Sequence, residues 1–223
     1  MKKTFEANQF EIVLEIGSPW PKELSLDFFR NSGIVPSDWE PEPTPLVPRF
    51  LGGFTFSNGV GFFADGSEFR FVETIASKKP DDFFVPRMAI SYLGAVRQCD
   101  FSAVRFELRG HVEIENDEEL RAFVLDRLLA EGPWRSSDPR LIDAQTMLVY
   151  DFGDAQCTLT IKKTFFQPGK EAQRDVLAFF ATFTHAAVGD SAQERFESSV
   201  KLVADWRTDF DRYVSTVASH FLK

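Results

Sequence analysis

Cysteine, histidine and excess positive charge are all scarce in this 223-residue chain, and no long apolar run is present. Each shortage excludes something. The two cysteines, Cys99 and Cys157, stand far apart without a CxxC spacing, so neither a zinc site nor a disulfide framework can be read from them. Buried free thiols are the expectation. The longest apolar-leaning stretch, Val176 to Val188, is interrupted by Thr182, Thr184 and His185 and falls short of the roughly 20 residues that span a bilayer. The start, Met1-Lys2-Lys3-Thr4-Phe5-Glu6, has no apolar core of a signal peptide, so the expected location is the cytoplasm, with no membrane partner.

Lys and Arg number 25 against 34 Asp and Glu, a formal charge of −9, and neither half of the chain is basic. A phosphate-binding footprint therefore has no electrostatic basis, and no nucleic-acid partner is expected. Catalytic signatures are missing as well. No G-x-S-x-G, H-E-x-x-H, kinase-like, GxGxxG, GxxxxGK[ST] or DxDxDG pattern occurs, and no cofactor or metal is expected.

What the chain has in quantity is phenylalanine, 25 residues against three Tyr and four Trp. Aromatic area without a polar handle is core material first. Its placement follows two periods. Phe10, Ile12, Leu14 and Ile16 alternate with Glu11, Val13 and Glu15, the period of a half-buried strand. Residues 22–31 then predict a short helix ended at Gly33, followed by a proline-rich connection over 32–48 that is expected to pack along the domain through Ile34, Val35, Trp39, Leu46 and Val47. Asn58-Gly59 and Asp65-Gly66 punctuate apolar alternation from Phe54 to Phe71 and predict a three-stranded meander with positive-φ turns. Phe84, Val85, Met88, Ala89, Tyr92, Leu93 and Val96 then follow helical spacing, with Asp81-Asp82 at the start and Pro86 in the first turn.

The second half repeats this order. A strand over 104–114 is followed by a helix capped by Asn116 with Leu120, Phe123, Val124 and Leu128 on its stripe. Strand-like runs at 142–152, 155–166 and 174–187 come next. A capping box, Ser191-x-x-Glu194, opens one long helix carrying Phe196, Val200, Val203, Trp206, Phe210, Tyr213, Val217 and Phe221. The expectation is an α+β fold of two β-α-β-β-β-α repeats, residues 1–100 and 101–223. The two are expected to fuse into one curved antiparallel sheet with the long helices on one face. In element order this resembles the duplicated saddle of TATA-binding-protein-like folds, a likeness of fold that carries no function.

Candidate chemistry is thin. Arg105, Glu107, Arg109, His111, Glu113 and Glu115 alternate along one strand and share a face, either as a solvated wall of charge pairs or as a polar site. In the latter, Arg109 would bind an anion, Glu113 would polarise His111, and Tyr150 would add a polar group. His185 reads as a hydrogen-bonded edge histidine, His220 as a helix-end residue, and Asp209 with Asp211 as the wet side of the last helix. Trp20, Trp39 and Trp134, all in connections, are the expected interaction loops, whereas Trp206 belongs to the core. The leading expectation is a non-catalytic module that binds a protein partner or a second copy through an open sheet face or free edges. A small-molecule binder or enzyme around His111 and an acidic, antitoxin-like inhibitor are the alternatives.

Overall fold

The computed structural model describes residues 4–17, 25–42, 52–96, 99–114, 116–133, 141–167 and 173–222. The protein is α+β, with one nine-stranded sheet whose pairs are all antiparallel. The first strand, β1 (Phe5–Ile16), leads through α1 (Leu26–Asn31) and β2 (Pro41–Glu42) to β3 (Gly52–Phe56), β4 (Val60–Ala64) and β5 (Glu68–Thr74), then α2 (Val85–Ala95). The next strand, β6 (Phe101–Glu113), is followed by α3 (Asp117–Ala122), β7 (Gln145–Asp151), β8 (Gln156–Phe166), β9 (Arg174–Ala186), α4 (Ala192–Ala204) and α5 (Trp206–His220). Across the sheet the order is β2-β3-β4-β5-β1-β6-β9-β8-β7. The long pairing of β1 with β6 at its centre joins the two halves of the chain.

Period-2 alternation sends Phe10, Ile12 and Leu14 of β1, Phe69 and Phe71 of β5, Phe106 and Leu108 of β6, and Phe179 and Phe183 of β9 to one face. Helices close that face. Tyr92 of α2 sits among the rings of Phe29, Phe62, Phe69 and Phe71, and Phe196 of α4 meets Phe101. On α5, Trp206 lies against Phe10, and the buried Tyr213 hydroxyl donates to the Phe179 carbonyl at 2.8 Å. Each large ring taken out of water here contributes about 1.5–3 kcal/mol. Both cysteines are buried and neither forms a disulfide.

Several local expectations hold and some need correction. The expected positive φ of Gly33 holds at +65°, but the helix expected over 22–31 begins only at Leu26, because Ser25 is extended and caps it; 22–24 lie outside the described residues. In the meander Gly59 takes φ +80°, with no room for a Cβ beside Thr74. Gly66 does not take positive φ. That turn is held by the Asp65 carboxylate, which accepts from the N–H groups of Ser67 and Glu68. Asp81 and Asp82 fall in a separate 3₁₀ turn, Pro80–Asp82, not in the first turn of α2. The amide ends of α2 are met from the sheet instead: buried Glu73 of β5 accepts from Phe84 N–H at 2.7 Å and Val85 N–H at 2.9 Å, and pairs with Lys78.

The last helix is two. Asp205 leaves helical geometry at φ −92°, ψ 12°, yet the one-residue break keeps the apolar stripe in phase, and Phe196, Val203, Phe210, Tyr213 and Val217 are all buried. After α3 the chain widens into a π-helical turn over Phe123–Leu128 that still buries Phe123 and Val124. Among the described residues no helix is long and apolar enough to cross a membrane.

Candidate functional site

The sheet face opposite the helices carries the charged row. Alternation along β6 places Arg105, Glu107, Arg109 and His111 there, and the neighbouring strands add Glu11, Val13 and Glu15 from β1 and Glu68 and Arg70 from β5. The register sets Glu11 directly opposite Glu107, a like-charge pair that repels unless bridged. Arg70 is the bridge. Its Nη1 donates to Glu11 Oε2 at 2.9 Å and to Glu107 Oε2 at 3.1 Å, while Nε reaches Glu68 Oε1. Arg105 pairs with Glu68 and Glu15, and Arg109 approaches Glu11 Oε1 at 3.2 Å.

Burial sharpens the electrostatics. The Glu11 side chain is only 5 % exposed, and desolvation, reinforced by the Glu107 charge, pushes its carboxyl above the usual range although Arg109 and Arg70 pull it back. Burial works against the Arg70 charge, but Glu107 and Glu68 outweigh it and hold the guanidinium more firmly protonated. Three arginines are thus shared among four carboxylates, each arginine paired with carboxylates of the same face.

His111 lies beyond this network. Its ring packs at 4.2 Å on Phe166, Nδ1 is 2.7 Å from Asn8 Oδ1, and Nε2 is 3.9 Å from Glu113, which itself pairs with Arg174. Burial lowers its pKa, partly opposed by Glu6 and Glu113. Tyr150 does not join the row. Register puts it beside Cys157 on the helix-covered face, where its ring neighbours His220 of α5.

Trp39 packs on Phe56 and Phe84, so this loop tryptophan serves as a lid on the core; Trp20 and Trp134 lie outside the described residues, as do Glu115, Leu46 and Val47.

A second polar group was hidden from sequence reasoning. Asp209, expected on the wet side of the helix, is buried, because α5 turns that side onto the end of β9. There its carboxylate meets His185 Nε2 at 2.5 Å and Arg212 at 3.0 Å, and Arg212 continues to Asp154. Cys157 belongs to the same region, but burial, with the Asp209 charge behind it, pushes its thiol up to about 12. A thiol so protonated is no nucleophile. The signal for Asp209 was present in principle: it stands one residue before Phe210 on the helix stripe.

Two hollows lie among the described residues. A cleft of about 370 Å³ has walls of Phe5, Ile75, Phe83 and Phe210 and a rim that includes Lys78 and Ser77, the latter at φ +62°. Lys78 is already committed to Glu73 and the Asn58 carbonyl. A smaller one, about 160 Å³, lies between the α3 region and Lys163. Among the described residues no group of three or more His, Cys, Asp or Glu side chains is placed to hold a metal ion.

Fold and face together define an α+β protein with a charge-bearing sheet face on the side away from the described helices. No family profile, no curated protein and no solved structure matches the chain.

Proposed function

We propose that this chain is a non-catalytic protein-binding or self-assembling module of the cytoplasm, built as two β-α-β-β-β-α repeats with a saddle-like element order. The mirrored sheet order supports the duplication: β3-β4-β5-β1 runs to the centre from one side and β7-β8-β9-β6 from the other. One observation carries the functional reading. The charge-bearing face changes character along its length, from a cross-paired ion network on β5-β1-β6 to a surface of Thr158, Thr160 and Thr182 with exposed Met147 and Val149 on β9-β8-β7. Large apolar side chains presented on a sheet face are what a protein partner covers.

The test is site-specific cross-linking in cells. A photoreactive amino acid in place of Met147 should give discrete cross-linked species, whereas the same group in place of Glu197 on the exposed side of α4 should not. Equal absence of products from both positions, with a one-chain mass at every concentration, refutes the reading.

A further inference from the structure

The two ends of the sheet differ in a way that points to a specific partner. One end is β2, whose described residues are Pro41 and Glu42. Proline lacks a donor, and a charged edge resists pairing. The other end is β7, seven residues with no proline and no charge before Asp151, and among the described residues no strand pairs with its outer side. None of its residues is buried, and Met147 and Val149 are 66 % and 57 % exposed. Such an edge carries a row of free backbone donors and acceptors beside an apolar strip.

We infer that β7 pairs with β7 of a second copy of this chain, antiparallel, with Leu148 on the two-fold axis. The inference rests on the self-assembling form of the proposed function. Its argument is self-complementarity. A two-fold axis at Leu148 sets Met147 against Val149 of the partner copy, Thr146 against Tyr150 and Gln145 against Asp151, so apolar meets apolar on the same sheet face from both sides. Charge agrees with this direction. Lys162 on β8 stands beside Gln145, and Asp151 ends the strand at the opposite end, so each copy brings its carboxylate to the end where the other carries Lys162. The same strands run parallel would stack like ends together. Backbone hydrogen bonding across the axis would extend the sheet through both copies and remove both exposed edges.

Light scattering on the full-length chain over a hundredfold concentration range should show a mass rising from 25.4 kDa towards twice that value. Val149→Lys brings a charge into the junction twice, once from each copy, and should raise the dimerisation midpoint at least tenfold. Because Val149 is exposed in the single chain, the variant should keep the wild-type circular dichroism and melting temperature. Val188→Lys, also exposed but off the sheet edge, should leave the midpoint unchanged. For the register, a Met147→Cys/Val149→Cys double variant should form an oxidised inter-chain cross-link that neither single variant forms, the native Cys99 and Cys157 being buried.

A one-chain mass throughout overturns the inference, as does a dimer indifferent to Val149→Lys or a single variant that cross-links as well as the double one. Cross-linking of Met147 to a different protein by a chain that stays monomeric would overturn the dimer and leave the protein-binding reading standing.

Discussion

Removing the Arg70 side chain tests the account of the charge-bearing face most directly. In Arg70→Met, Glu11, Glu68 and Glu107 lose their shared counter-charge, and the directly opposed pair Glu11 and Glu107 loses its bridge. Breaking a fully buried ion pair from one side costs about 3–5 kcal/mol, and an exposed one about 0–1 kcal/mol. Glu11 is close to the first limit, whereas Arg70 and Glu107 keep some contact with water at 13 % and 19 % exposure. An intermediate loss of ~2–4 kcal/mol is therefore expected, a large part of the roughly 5–15 kcal/mol that holds a domain folded.

In urea, with a slope of about 1–3 kcal/mol per molar, the unfolding midpoint should fall by roughly 1–2 M. The loss should also depend on pH. Burial already raises the Glu11 carboxyl in the folded protein, so its contribution to stability is fully present below the unfolded value near 4.5 and is lost as pH rises through the folded value. Without Arg70 that folded value rises further, so the deficit against wild type should be largest near pH 8 and shrink towards pH 5. A loss under 1 kcal/mol with no pH dependence refutes the reasoning and makes the row a solvated face of weak pairs.

Glu73→Ala strips the acceptor from the Phe84 and Val85 amides and leaves Lys78 without its carboxylate, so a loss of ~2–4 kcal/mol in chemical unfolding is expected, with Glu73→Gln markedly milder. Gly110→Ala places a methyl 2.4 Å from the Phe5 ring and 2.7 Å from the Glu6 carbonyl oxygen, and since Phe5 is wedged on Phe179 and Tyr213 the melting temperature should drop by an overpacking cost of ~1–3 kcal/mol. The lowered pKa of His111 means that its contribution is present above the unfolded value near 6.5 and is lost as pH falls through the folded value; His111→Gln should therefore flatten the stability profile between pH 7 and 5. Cys157, with its thiol at about 12, should react with a thiol reagent at pH 8 far more slowly in native protein than in urea, and equal rates would contradict its burial.

Most of the secondary structure was legible in the sequence because each signal is local. Alternation in Phe10 to Ile16 marks β1, the Ser191 and Glu194 capping box marks α4, and Asn58-Gly59 marks a turn, each within a window of a few residues. The candidate site was legible only by half. Arg105, Glu107 and Arg109 were visible as a polar row on one strand, but Glu11 and Arg70, which give that row its energetics, stand 59 positions apart from each other and reach it only through pairings across β1. Glu73 and Asp209 show the same limit. Both are acidic residues at sequence positions where solvent is the ordinary environment, and both are buried because a distant element, the start of α2 or the end of β9, supplies their partners.

The sequence by itself determined the element types, the inward placement of most of the described phenylalanines and the charge that keeps the outer surfaces wet, since periodicity and composition act through nearest neighbours. Tertiary structure alone decided which strands became neighbours, and with that which charges were bridged, which carboxylates were buried and which edge was left open. Those outcomes depend on contacts between residues remote in the chain, and a one-dimensional pattern has no term for them.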